Sequence, residues 1–315
     1  MHQVSGKAWL GFSLALLTAV LWGMLPVALK MLLTELSANT ITWVRFLAAT
    51  IFVGVILKQQ GALPKATQFS KTTLHLLAIA VVGLLTNYIL FLLGVKLLTP
   101  ETAQLVIQLA PFLMMLGGIV LFKEQMLLWQ KVGAVLLVIG LLAFFNERLV
   151  DLVSSFGTET LGVVLVIISA ITWAAYALAQ KQLLKDFQSQ QIMLLIYLCG
   201  AISFLPFTDL SPLPTLSNLH WGLLAFCCLN TIFAYGAFAE ALAHWETSKV
   251  SAVLAITPLL TILFANLATH IFVQAQAPQP LNLYAIVGAV MVVLGSALTA
   301  LAPQLQQPLQ PAKTA

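Results

Sequence analysis

Apolar residues in this chain collect into long runs separated by short polar or Gly/Pro-rich stretches. The runs fall near residues 10–33, 40–57, 74–97, 102–122 and 130–145, and again near 161–180, 191–207, 219–242, 250–273 and 283–301. Each approaches the roughly 20 helical residues that cross a hydrocarbon core about 30 Å thick. They are too long and too little alternating for barrel strands, and an isolated lipid-facing strand could not satisfy its backbone. The pattern therefore predicts an all-α integral membrane protein with ten transmembrane helices.

Composition sharpens this. Of 315 residues, 61% are hydrophobic and 8% charged, whereas a soluble domain carries roughly a quarter charged residues, so no water-facing surface can be made. The formal net charge of +4 comes from fourteen scattered Lys and Arg, not from a cluster that would hold nucleic acid. With the N-terminus in the cytoplasm, Lys7, Lys58, Lys65, Lys71, Lys123, Lys131, Lys181, Lys185, Lys249 and Lys313 lie inside, and only Lys30, Arg45, Lys96 and Arg148 lie outside. The positive-inside rule thus places both termini in the cytoplasm. The first run continues through Trp22, Gly23 and Pro26 without a small-residue cleavage site, so it is expected to remain as a mature helix. Cys199, Cys227 and Cys228 sit in apolar runs without metal or redox spacing and read as packing residues.

The two halves echo each other. Leu21-Trp22-Gly23 is followed by Lys30, eight residues after the Trp, and Thr172-Trp173-Ala174 by Lys181, again eight after. Pro111 in the fourth run has a counterpart in Pro258 in the ninth. Gly133 and Gly140 in the fifth correspond to Gly288 and Gly295 in the tenth, each pair seven apart on one helix face. Five spans per unit is an odd number, so the second unit enters the membrane in the opposite sense. The expected organisation is two inverted five-helix repeats, 1–146 and 161–302, joined by an external linker at 147–160 and followed by a disordered cytoplasmic tail at 303–315.

Leu21-Trp22-Gly23 through Lys30, Arg45-Phe46, Pro111, Lys123-Glu124 and Gly133 through Gly140 resemble the EamA-type family of the drug/metabolite transporter superfamily, over nearly the whole chain. The resemblance implies ten helices with both termini in the cytoplasm. It also implies export or exchange of small metabolites such as amino acids, their derivatives or other amphiphilic solutes across the cytoplasmic (inner) membrane. The sequence departs from the family where the ninth run closes on Thr269-His270-Ile271, without the acidic residue that Glu124 supplies after the fourth.

Polar groups inside membrane helices need a partner or a wet cavity, so they mark the candidate site. Glu101, Gln104, Gln108 and Pro111 share one helical face, readable as cavity lining or as interhelical hydrogen bonding. Ser251, Ala255 and Pro258 occupy the matching positions of the ninth run, so the expected site is asymmetric, with its polar side toward the first half. Pro111 and Pro258 each free the carbonyl four residues earlier, at Ile107 and Leu254, as hinges or as tolerated kinks. Trp22 and Trp173 lie too deep for a headgroup belt and, with Tyr176 and Gln180, form a cavity wall or ordinary packing. Asn87 and Tyr88 in the third run and Asn230, Thr231 and Tyr235 in the eighth fall at mid-depth, as bundle hydrogen bonds or substrate contacts. Lys96, Glu240, Lys30 and Arg45 read as interface or snorkelling charges.

The candidate substrate-binding set is therefore Trp22, Asn87, Tyr88, Gln104, Gln108, Trp173, Tyr176, Gln180, Tyr235 and Ser251, with Pro111 and Pro258 as hinges. His75, His220, His244 and His270 show no ligand spacing, so no metal, cofactor or catalytic centre is expected. No carboxylate lies at the middle of a run, so proton antiport through such a group is not expected either. The expected function is a secondary carrier for a small solute, as monomer or homodimer with the lipid bilayer as its other partner. A lipid or lipid-linked sugar flippase and a non-transporting scaffold or sensor are the alternatives.

Overall fold

The computed structural model describes residues 7–122, 126–146, 157–245, 247–272 and 281–305. The expected roles of Glu124, of the linker residues 147–156 and of the tail from 306 on lie outside the described residues. Among the described residues every regular element is helical: α1 (Ala8–Leu32), α2 (Ala38–Gln59), α3 (Lys71–Leu97), α4 (Pro100–Val106), α5 (Leu109–Phe122) and α6 (Leu128–Phe144) precede the linker. After it come α7 (Thr158–Leu183), α8 (Ser189–Phe204), α9 (Asn218–His244), α10 (Thr247–Leu254), α11 (Thr257–Ile271) and α12 (Leu283–Leu305). Eight segments are long and apolar enough to cross a membrane, with Leu128–Phe144 as a shorter apolar helix.

Local chemistry sets the ends. Ser37, Ser70, Thr99 and Ser217 each accept a backbone N–H three residues on, closing the first turns of α2, α3, α4 and α9. Gly61 follows α2 with φ 65°, the left-handed conformation that reverses a helix end at no steric cost. At the far end of α3 the Lys30 ammonium donates to the carbonyls of Val95 (3.0 Å), Lys96 (2.9 Å) and Leu98 (2.7 Å). Lys30 is therefore not a snorkelling charge. It caps a neighbouring helix, where carbonyls left without N–H partners carry partial negative charge.

Two expected spans are not continuous. The run at 102–122 is split at Ile107 and Gln108 into α4 and α5, and the run at 250–273 at Ala255 and Ile256 into α10 and α11. The prolines begin the second segments, Pro111 in the first turn of α5 and Pro258 in that of α11, where a missing N–H costs least. The carbonyls they free are satisfied again. Ile107 accepts the N–H of Ala110 at 2.8 Å, and Leu254 accepts the Thr257 hydroxyl. The end of the tenth run also differs, since α12 continues to Leu305, past the expected start of the tail.

The most extensive helix contacts pair α6 with α12, α3 with α7 and α1 with α9, each joining an element before the linker to one after it. Lipid tails are as apolar as leucine, so such pairs are held by close packing and hydrogen bonds, and glycine permits the closest approach. A Cβ on Gly133 would lie 2.6 Å from the Gly295 carbonyl oxygen, and one on Gly140 2.8 Å from that of Gly288. The two glycine pairs thus meet antiparallel across the α6–α12 seam. Gly83 does the same for α3 against the Thr172 carbonyl of α7, at 2.8 Å.

Candidate functional site

The two helix breaks touch. Gln108, at the end of α4, donates its side-chain N–H to the Ala255 carbonyl at 3.2 Å, both residues being buried. That carbonyl lies between α10 and α11, and among the described residues the glutamine is the partner given for it. All seven residues of α4 are buried, Gln104 among them, while Ser251 on α10 is half-buried.

The bundle also holds an aromatic cluster. Phe46, Tyr88, Tyr176 and Tyr197 form its buried centre, with Trp173 and Tyr235 packed at the edge. Phe46 sits 4.7 Å from Tyr88 and 5.8 Å from Tyr197 between ring centroids, within the range of favourable ring pairs. Trp22 joins from α1, edge-on to Tyr235 at 5.5 Å and tilted over Phe238 at 5.7 Å. The structure therefore brings Trp22, Tyr88, Trp173, Tyr176 and Tyr235 of the candidate set into one connected aromatic region.

Asn87 is drawn elsewhere. Its side-chain N–H groups donate to the Ser169 carbonyl (3.0 Å) and hydroxyl (2.8 Å), and that hydroxyl donates back to the Asn87 carbonyl at 3.1 Å. The amide is tied into the α3–α7 seam. On the other seam, Asn230 donates to the Leu21 carbonyl and Thr18 to that of Ala234, linking α9 to α1. Gln180 reaches Ser189 at the start of α8, at 3.5 Å, away from the helix breaks.

Two charged residues outside the candidate set are enclosed. Arg45 is 3% exposed; its Nε donates to the Thr231 hydroxyl at 2.9 Å, and its guanidinium carbon stands 4.8 Å from the Tyr88 ring centroid. It is not an interface charge. Its position inside an apolar run was the available signal, because an ionisable group at such depth needs a reason. Glu101 in the first turn of α4 is 4% exposed, and its carboxylate has the Thr99 side chain, its own backbone N–H and the Lys30 ammonium as its counterparts. No group of three or more His, Cys, Asp or Glu side chains that could hold a metal occurs among the described residues.

Between α2 and α9 an open apolar groove, lined by Ile51, Phe52, Val55, Leu229 and Ile232, faces outward from the bundle. Its lining is apolar apart from Gln59 and Cys228 and contains none of the candidate residues.

The family model described as the EamA-like transporter family matches this chain twice, over residues 9–146 and 160–301. The chain belongs to the EamA-like transporter family. Among relatives of this EamA-like transporter, a Haemophilus influenzae protein described as an uncharacterized transporter is 41% identical over 297 residues, covering 94% of this chain and 96% of its own. The Escherichia coli K12 protein described as the uncharacterized inner membrane transporter YhbE is 39% identical over 296 residues, covering 94% and 92%. A solved crystal structure shares the fold at TM-score 0.63 and 17% identity, across 97% of this chain and 100% of the other. The EamA-like chain is thus a multi-pass integral membrane protein and a membrane transporter.

Proposed function

We infer that this EamA-like transporter is a secondary carrier that exports or exchanges a small amphiphilic metabolite across the cytoplasmic membrane by alternating access. Counting α4 with α5 and α10 with α11 as single crossings yields ten spans, five in each of the units 1–146 and 161–302. The helix pairings support an inverted repeat. Exchanging the first span for the sixth and the third for the eighth turns the α1–α9 contact into the α3–α7 contact, and both are extensive. The lysine distribution supports cytoplasmic termini.

The observation that carries the reading is the meeting of two interrupted helices at their breaks, with Gln108 bonded to Ala255. Carriers built from inverted repeats bind substrate between the repeats, at discontinuous helices, and move one repeat against the other around that site. An aromatic region with few polar groups inside the bundle suits an amphiphilic solute. Gln104, Gln108, Ser251 and the aromatic residues would line the route, with Pro111 and Pro258 at its moving joints. No catalysis is assigned.

The test is counterflow in proteoliposomes preloaded with pooled amino acids, nucleosides or sugars. Protein-dependent accumulation of a labelled member of one pool, lost in Gln108→Ala, is expected. Absence of flux from every pool through folded protein would sink the carrier reading and turn attention to lipid substrates.

A further inference from the structure

Arg45 presents a chemical imbalance. A guanidinium carries five N–H donors. Here only the Nε–H has an acceptor, the Thr231 hydroxyl, which in turn donates to the Cys227 carbonyl at 2.9 Å. No carboxylate pairs with Arg45 among the described residues, and the Tyr88 face beneath it offers only a weak, non-directional partner. A buried arginine serving structure alone would be saturated by acceptors or neutralised by an acid, because an enclosed charge left uncompensated is costly.

The surroundings point the same way. The hydroxyl of Thr42, fully buried one turn before Arg45 on the same face of α2, is enclosed without a hydrogen-bond partner among the described residues, and that of Tyr88, 5% exposed, has only the side chains of Tyr235 and Thr231 to bond. Donor groups of Arg45, Thr42 and Tyr88 with few protein acceptors thus fall in one region. It lies among α2, α3, α8 and α9, two elements from each half of the chain, since Tyr197 of α8 also bonds the Thr231 carbonyl at 3.4 Å. Beyond it the aromatic region provides an apolar surface that continues to Trp22 through Tyr235.

We propose that Arg45, with the hydroxyls of Tyr88 and Thr42, is the anchor for the carboxylate of a small monoanionic solute whose apolar body lies against the aromatic region. One guanidinium balances one negative charge, and its planar fork matches the two oxygens of a carboxylate. The hydroxyls supply further donors, which a neutral amide or an alcohol would satisfy less well. This rests on the carrier reading and names its substrate class as monocarboxylates.

The full-length protein in detergent, melted at constant ionic strength with hexanoate, octanoate or phenylacetate, tests it. Each carboxylate is compared with its amide and with chloride. At least one carboxylate is expected to raise the melting temperature, with chloride and the amides inert. Tyr88→Phe and Thr42→Val, which remove single hydroxyls and keep the packing, should each weaken the response by about tenfold, and Arg45→Gln should abolish it. The proposal is overturned if no carboxylate acts beyond chloride, if amides act equally, or if the two hydroxyl variants respond like wild type. Counterflow separates the two readings. Arg45-dependent binding of carboxylates without flux keeps the anchor and removes the carrier, whereas flux of neutral solutes without any carboxylate response does the reverse.

Discussion

The Gln108 side chain donates to the carbonyl of Ala255, 147 positions further along the chain. The same interval separates Gln104 from Ser251 and Pro111 from Pro258. In the proposed inverted repeat, Gln108 thus bonds the residue that would correspond to it in the second half. The two sides are chemically unequal, since a glutamine amide on one meets only a backbone carbonyl on the other.

From this inequality, Gln108→Ala should slow counterflow far more than Ser251→Ala, by about tenfold against less than about twofold. The alanine leaves the Ala255 carbonyl unpaired at a cost of order 1 kcal/mol and removes a polar group from the proposed route. Initial rates in proteoliposomes decide the matter. Equal losses in the two variants would contradict an asymmetric site.

The α6–α12 seam depends on having no Cβ. Gly140→Leu would drive a side chain into the Gly288 backbone, and we expect loss of at least about 3 kcal/mol, seen as little folded protein after extraction. Gly236 on α9, where an added Cβ would meet nothing within 4 Å, is the control. Gly236→Ala should be neutral or gain up to about 1 kcal/mol from helix propensity. Similar behaviour of both variants in a thermal melt would refute the seam.

Glu101 offers a third test. Its carboxylate is enclosed, and Thr99, its own backbone N–H and Lys30 offset only part of the desolvation, so Glu101→Gln, which keeps the shape and removes the charge, should hold or raise stability by about 1 kcal/mol. If the variant instead melted several degrees lower, the attraction of Lys30 and Thr99 for the ionised carboxylate would outweigh its desolvation. Counterflow at two imposed pH gradients on wild type and variant would show in addition whether this carboxylate takes part in coupling.

Orientation is open to direct labelling. A single cysteine at Gln60, exposed in the turn after α2, should react with an impermeant maleimide only after cell disruption. One at Ser211, exposed between α8 and α9, should react in intact cells. The reverse pattern would overturn cytoplasmic termini and the lysine argument on which they rest.

By itself the sequence determined the class of structure and most of the helix framework. A chain this apolar has only the bilayer as solvent, and there only helices of a set length satisfy their own backbone. Glycine spacing was equally readable, because small residues at one-face intervals have meaning chiefly as contact seams, and Gly133, Gly140, Gly288 and Gly295 do meet. Only the tertiary structure decided which polar groups pair and which stand alone. Lipid and protein interior are alike apolar, so hydrophobicity does not say which face of a helix turns inward. For that reason Asn87 and Tyr88, neighbours in the chain, part company: one is tied to Ser169 and the other lies beneath Arg45. The breaks at Gln108 and Ala255 were hidden for a related cause. Proline was visible, but the turn it starts is held by a side chain from the other half of the molecule, a partner that no local pattern contains.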